Sequence, residues 1–137
     1  MKTSAFALVI VLLAASVPAS TNPIFVSYEA ARQALLEDSL GAVQKAAKEI
    51  GGAARSAGQS AIYERAAGLA ESKDLAGARD AFASLSDELI KYRAAVKGDR
   101  PSVAYCPMLK KSWVQPDGEI GNPYDSSMRK CGRIESR

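Results

Sequence analysis

The chain has 137 residues, of which 47% are hydrophobic and 24% charged, a composition that excludes general disorder and suits one compact domain. The formal net charge is only +3, so charge alone predicts no nucleic-acid-binding face. Histidine is absent, which excludes Ser-His-Asp and Cys-His catalytic sites, histidine zinc sites and histidine proton shuttles. We expect a protein that is not an enzyme. A redox enzyme is the remaining alternative, and it is disfavoured because Cys106 and Cys131 lack the Cys-x-x-Cys spacing that lowers a thiol pKa.

The first 19 residues predict an export signal. Lys2 supplies a positive charge, residues 5–15 form an uncharged apolar run, and residues 17–19 offer small side chains at a cleavage position. The run is shorter than the roughly 20 apolar residues that a membrane-spanning helix needs. We expect a signal peptide over residues 1–19 and a mature chain that is periplasmic or secreted, without membrane insertion.

Two helices are predicted next. For a helix that ends near Asp38, either Asn22-Pro23 supplies a cap and a first-turn proline, or Ser27 caps a slightly later start. A second helix follows from apolar residues at three- and four-residue steps, although Gly51-Gly52 is expected to end or bend it. Its apolar positions are Leu40, Val43, Ala47, Ile50 and Ala54.

Two further helices follow. Ser60 is the expected cap of the third, which runs out near Ser72. Asp74 is the expected cap of the fourth, which ends near Lys97-Gly98. The fourth has a continuous apolar stripe along one face, formed by Leu75, Ala78, Phe82, Leu85, Leu89, Tyr92 and Val96.

Short polar breaks between these segments favour an all-α fold, an antiparallel four-helix bundle over residues 20–99. Residues 100–137 are expected to form an irregular tail packed on the bundle within one domain, with a short hairpin at most, turning at Pro116-Asp117-Gly118. The scattered acidic residues of the helices are interpreted as a solvated face, because no Glu-x-x-His pair that could build a di-iron centre is present. They include Glu29, Glu37, Glu49, Glu64 and Glu71.

Apart from the initiator methionine, every sulfur atom lies in the tail, in Cys106, Met108, Met128 and Cys131. Thiolates and thioethers are soft donors that favour Cu(I) or Ag(I). If the chain brings Cys106-Pro107-Met108 close to Met128-x-x-Cys131, up to four sulfurs can hold such a cation. Trp113 is either a cation–π lid over the ion or a cover for the end of the bundle.

A disulfide is the competing hypothesis for the same two cysteines. An exported protein meets an oxidising compartment, and closing the loop of 26 residues from Cys106 to Cys131 would stabilise the fold by roughly 3 to 4 kcal/mol in the chain-entropy model. The two states exclude each other at any one moment, but a reducible bridge could release a copper site. The basic residues beside the sulfurs, Lys110, Lys111, Arg129 and Lys130, are interpreted as solvated surface.

A motif runs through the tail. It consists of Tyr105-Cys-Pro-Met108, Trp113, Ile120-x-Asn122-Pro-Tyr124, Met128 and Cys131-Gly132, preceded by Asp74-Leu-x-x-x-Arg79-x-x-Phe82-x-x-Leu85-Ser86. This pattern resembles the bacterial domain of unknown function 3347 family, which occurs as small exported helical proteins and as a module of the membrane-fusion subunits of copper and silver efflux pumps. The family usually follows Asn-Pro-Tyr with an aromatic residue and glycine, where this chain has Asp125-Ser126.

The resemblance implies a metal role for the paired sulfur motifs, which fall on Cys106, Met108, Met128 and Cys131. The sequence therefore predicts a periplasmic Cu(I)- or Ag(I)-binding protein, with a metal-efflux membrane-fusion protein as its partner. The alternative is a helical interaction module of the cell envelope, stabilised by a Cys106–Cys131 disulfide and holding no metal.

Overall fold

The computed structural model describes residues 20–137, so the predicted signal peptide lies outside the described residues. Four helices are followed by three strands. The helices are α1 (Pro23–Leu36), α2 (Leu40–Ser56), α3 (Ser60–Ala70) and α4 (Leu75–Ala95), and the strands are β1 (Ser102–Cys106), β2 (Lys111–Gln115) and β3 (Arg133–Ser136).

Two of the predicted helix caps are confirmed. The Asn22 side chain accepts a hydrogen bond from the Ile24 N–H at 3.0 Å, with Pro23 at the start of α1. The Asp74 carboxylate accepts one from the Gly77 N–H at 2.7 Å. Because both side chains satisfy amides that the first helical turn leaves unpaired, they begin α1 and α4 where the sequence predicts.

Two details of the middle helices differ from the prediction. Ser60 is the first helical residue of α3, and Gln59 occupies the cap position without a side-chain bond. The Gly51-Gly52 pair does not end α2, which continues to Ser56. Gly51 is buried, and a Cβ added there would stand 3.7 Å from the Tyr63 ring of α3, so the missing side chain leaves room for this close approach.

The helical core is built from the predicted stripes. On α4, Ala78, Phe82, Leu85 and Leu89 are buried, while the remaining stripe positions are partly buried. α1, α2 and α3 contribute mainly alanine and branched aliphatic side chains, with Phe25 and Tyr28 as the aromatic exceptions. Each helix packs against the next one in the chain.

The prediction of an all-α fold with an irregular tail is wrong. Residues 102–136 include a three-stranded antiparallel sheet with the order β2-β1-β3, and β2 packs on α4. β1 and β2 form a hairpin in which Ser102 is opposite Gln115 and Cys106 is opposite Lys111. The fold therefore combines a helical layer with a small sheet.

The predicted hairpin turn is also misplaced. The observed turn spans residues 107–110, whereas Pro116-Asp117-Gly118 follows β2 and leads into a long loop. Lys110 has a φ of 54° and its N–H donates to the Cys106 carbonyl at 2.8 Å. Because lysine rarely adopts this left-handed conformation, the residues of the real turn gave no turn signal of the Asp-Gly kind.

Within residues 20–137, no helix combines the length and apolarity that crossing a membrane requires.

Candidate functional site

The two cysteines meet at one end of the sheet. Cys106 is the last residue of β1 and is fully buried, while Cys131 is half-buried and lies two residues before β3. Since β3 pairs beside β1 with Tyr105 opposite Arg133, the chain arrives next to Cys106. The two Sγ atoms are 2.6 Å apart, and both cysteines are free thiols.

Asn122 holds the segment that carries Cys131. This side chain is buried, and its Nδ2 donates to the Cys131 carbonyl at 3.1 Å. The Asn122 N–H donates to the Arg129 carbonyl at 2.8 Å, and the Cys131 N–H closes a turn onto the Met128 carbonyl at 2.9 Å. The backbone on both sides of the Cys131 thiol is thus fixed before any sulfur chemistry takes place.

Gly132 lets this segment pass close to the sheet. Its φ is 149°, and a Cβ added there would stand 2.7 Å from Cη2 of Trp113 and 3.3 Å from the Tyr105 carbonyl oxygen. Such approaches are shorter than ordinary carbon contacts, so a larger residue would push the segment away from β1. The Cys131-Gly132 pair of the motif therefore has a steric reason.

Two arginines from the helices anchor the loop that contains Asn122. Nη1 of Arg32 in α1 donates to the Gly121 carbonyl at 2.6 Å, and Nε of Arg79 in α4 donates to the Pro123 carbonyl at 3.2 Å. Arg32 is itself held by both carboxylate oxygens of Glu29 at 2.7 Å. The position of Asn122, and through it Cys131, therefore depends on the helical layer.

Trp113 lies beneath the Cys131-Gly132 segment and is fully buried. Its Nε1 donates to Oε1 of Gln115 at 2.9 Å, and its ring meets Tyr124 edge to face with centroids 6.0 Å apart. The Gln115 side chain also accepts from the Gly121 N–H and donates to the Glu119 carbonyl. Trp113 thus supports the site from below.

The two methionines have different surroundings. Met108 lies on the β1–β2 turn and is 74% exposed, so it is not a core residue. Met128 is half-buried in the turn before Cys131, where its N–H donates to the Asp125 carbonyl at 3.0 Å. Asp125 also accepts from the Ser127 N–H and hydroxyl, so Asp125-Ser126 here forms a capped turn. The structure therefore brings the two thiols into direct contact. Each methionine is close to one of the cysteines in sequence.

The two thiols differ in acidity. Although burial raises the pKa of Cys106, hydrogen bonds from the Cys131 thiol, the Leu109 and Met108 amides and the Asn122 side chain lower it below the ordinary value overall. The pKa of Cys131 is raised, first because of its hydrogen bond with Cys106 and then because of burial. Because the two sulfurs are in direct contact, the acidities of the two thiols are linked.

The basic residues around the sulfurs are mostly neutralised. Their ion pairs are Lys111–Asp80 at 3.2 Å, Arg129–Asp38 at 3.0 Å, Lys130–Glu119 at 2.7 Å and Arg133–Glu135 at 3.2 Å. All four lysines and arginines belong to the sheet region, and two of the carboxylates come from the helical region. The immediate surroundings of the thiols are therefore not strongly cationic.

A cavity of about 380 Å³ lies at the opposite end of the hairpin, between α1, the α4–β1 connection and the end of β2. Val114 and Pro116 line it together with Phe25, Tyr28 and Pro101. None of the four sulfur residues contributes to it. The candidate site thus lies at the end of the hairpin that carries the turn over residues 107–110, and not in this cavity.

Within residues 20–137, no cluster of three or more Cys, Asp, Glu or His side chains has the arrangement of a metal site. Comparison with protein-family models, curated proteins and solved structures found no match to this chain. The sequence motif named the two cysteines and Trp113, but it did not assign the positioning roles of Asn122, Arg32 and Gln115. The turn-forming dipeptide Asn122-Pro123 was a local signal for Asn122, whereas no local pattern indicated Arg32 or Gln115.

Proposed function

We propose that this chain is an exported protein that binds Cu(I) or Ag(I) through Cys106 and Cys131 when both are reduced. The observation that carries the proposal is the 2.6 Å separation of the two sulfurs. Two thiolates are the preferred ligands of a soft monovalent cation, and neither competing imidazole nor a carboxylate cluster is available among the described residues.

A cation between the sulfurs requires them to move apart. A metal–thiolate bond is about 2.3 Å long, to take the value for zinc. Two such bonds in line span more than the present distance between the two Sγ atoms. The Cys131 side chain can supply this movement by rotation about its Cα–Cβ bond while its backbone stays in place, because Cys131 is half-buried, whereas Cys106 ends β1 and is enclosed.

Met108 supports the proposal from its exposure. A methionine that fills a gap in a core is buried, but this one projects from the turn that follows Cys106. In this proposal it serves as an additional thioether ligand or as the first contact with a protein that delivers the metal. Met128 is a further donor three residues before Cys131.

The resemblance of the tail motif to a family associated with copper and silver efflux points to the same function. In this proposal the protein is periplasmic or secreted and passes its metal to a membrane-fusion subunit of an efflux pump. Trp113 supports the segment that carries Cys131 and does not act as a lid.

A second candidate function follows from the same distance. Sulfurs this close form a disulfide after a small displacement once an oxidant is present. The bridge would tie β1 to the segment before β3 and give a stapled scaffold that interacts with an envelope protein and holds no metal.

Anaerobic titration of the reduced protein with Cu(I), against a chromophoric Cu(I) chelator, tests the metal proposal. We expect Cys131→Ser to weaken binding by at least about a hundredfold, because losing even an outer-shell partner costs 10- to 100-fold. Met108→Leu should weaken it about tenfold, and Met128→Leu is the matched comparison for the second thioether. Wild-type affinity in Cys131→Ser contradicts the proposal.

Mass spectrometry of the exported protein separates the two candidates. The protein is alkylated under denaturing conditions with and without prior reduction. Two alkyl groups without reduction support the metal-binding form, whereas none without reduction and two after it support the bridged form. A bridged protein that then fails to bind Cu(I) after reduction leaves only the stapled scaffold.

A further inference from the structure

The two sulfurs of the pair differ in their access to solvent. Cys106 is fully buried at the end of β1, while Cys131 is half-buried in the turn before β3. Thiol–disulfide exchange proceeds by attack on one particular sulfur, so the accessible sulfur is the one through which an external molecule reacts. Because of this difference in access, an external thiol or disulfide reacts with Cys131 and not with Cys106.

The fold positions the two residues for the same order of reaction. The Asn122 side chain donates to the Cys131 carbonyl at 3.1 Å, and the Cys131 N–H closes a turn onto the Met128 carbonyl. These bonds hold Cys131 beside Cys106, whose sulfur lies 2.6 Å away and is enclosed at the end of β1. An external thiolate therefore reaches the Cys131 sulfur first, and Cys106 is the sulfur that leaves.

We infer that Cys106 and Cys131 form a thiol–disulfide exchange site. Cys131 is the residue that forms the mixed disulfide with small thiols such as glutathione. Formation and reduction of the disulfide then switch the metal site off and on. The first two parts depend only on the geometry of the sulfurs. The third part depends on the proposed function.

Oxidation by a small disulfide proceeds in two steps. The Cys131 thiol releases its proton to water, its sulfur attacks one sulfur of the small disulfide, and the first small thiolate leaves. The Cys106 thiol likewise releases its proton to water, and its thiolate, 2.6 Å away, then attacks the Cys131 sulfur and expels the second small thiolate. Two protein thiols are oxidised, one external disulfide is reduced to two thiols, and two protons balance the two thiolates released.

Reduction runs in the opposite direction. A small thiolate attacks the Cys131 sulfur, the bond between the two cysteines breaks, and Cys106 leaves as a thiolate. A second small thiolate then attacks the mixed disulfide and frees Cys131. Both thiolates become available to a cation only after this sequence, so the bridge controls occupancy of the metal site.

The test uses the full mature chain without metal, as reduced Cys106→Ser and Cys131→Ser variants treated with oxidised glutathione. Each variant retains one thiol, so the rate of glutathionylation by mass spectrometry reports that sulfur alone. We expect Cys131 in Cys106→Ser to react at least about tenfold faster than Cys106 in Cys131→Ser. Wild type should pass to the intramolecular bridge without accumulating the mixed disulfide.

The same two variants in concentrated urea are the matched control, and there the two rates should agree within about threefold, because access no longer differs. Circular dichroism identifies a variant that fails to fold, and the Cys→Ala pair then replaces the Cys→Ser pair. Equal rates in the folded state, or faster reaction at Cys106, overturn the exchange site.

The switch is measured with oxidised wild type, which should bind no Cu(I) until reduced glutathione is added. Binding by the oxidised protein overturns the switch. Failure of the reduced protein to bind Cu(I), with the rate order intact, contradicts the proposed function and the switch but leaves the exchange site standing.

Discussion

At the scale of single residues, the geometry of the site depends on a glycine. Gly132 passes over the Trp113 ring so closely that the added Cβ would be 2.7 Å from it. Gly118 has a similar φ of 142°, but a Cβ there would meet nothing within 4 Å. A side chain at Gly118 would therefore cause backbone strain alone, whereas one at Gly132 would cause backbone strain and a steric clash.

We expect Gly118→Ala to lower the free energy of unfolding by about 1 to 3 kcal/mol through its backbone conformation alone. Gly132→Ala should cost about 1 to 3 kcal/mol more, because the Trp113 ring must also move. Urea denaturation of both variants measures the difference. Equal losses would show that the segment carrying Cys131 adjusts without strain.

At the scale of elements, buried hydroxyls connect the helices to the sheet. β2 is an edge strand, and its Val114 N–H donates to the Tyr28 hydroxyl of α1 at 3.4 Å. The Tyr124 hydroxyl donates to the Ser112 carbonyl at 2.5 Å. Tyr28 also bonds to Ser86 of α4 at 2.6 Å. These bonds satisfy backbone groups of an edge strand and attach it to two helices.

Tyr28→Phe should lower the free energy of unfolding by about 1 to 3 kcal/mol, because it leaves the buried Val114 N–H without a partner. Tyr63→Phe is the matched control. Its hydroxyl bonds to Arg55 at the surface, so we expect a change within about 0.5 kcal/mol. Thermal and urea unfolding give both values, and similar effects of the two substitutions would argue against the buried connection.

The helices were predictable at this scale, whereas the strands were not. Asp74 and the stripe from Leu75 to Val96 define α4 locally, because capping and helical periodicity involve residues within one or two turns. The strands have only five, five and four residues, and most of β3 is exposed. Their pairing comes from contacts with distant residues, which a local pattern does not contain.

At the scale of the whole molecule, the buried tyrosines make stability dependent on alkaline pH. Burial raises the pKa of Tyr28 and of Tyr124 well above the ordinary value of a tyrosine. An unfolded chain releases these protons near pH 10, whereas the folded chain keeps them. Their contribution to stability is therefore complete below about pH 10 and is lost as the pH rises further.

We expect the free energy of unfolding of wild type to fall above about pH 10, by up to about 1.4 kcal/mol per pH unit for each of the two tyrosines. In Tyr28→Phe the decrease in the free energy of unfolding per pH unit should be smaller by the contribution of one tyrosine. Urea unfolding of both proteins between pH 9 and 11 measures this difference. Identical slopes would mean that Tyr28 ionises in the folded protein as it does in the unfolded chain.

The amino-acid sequence by itself determined the four helices and the confinement of every sulfur atom except that of Met1 to the last part of the chain, because periodicity and composition are local properties. Only the tertiary structure decided that the tail is a sheet and that Cys106 and Cys131 meet. That meeting requires β3 to pair with β1 and requires Arg32 to bind a carbonyl 89 residues away. Such contacts arise when the helical and sheet regions pack together, so no segment of the sequence specifies them alone.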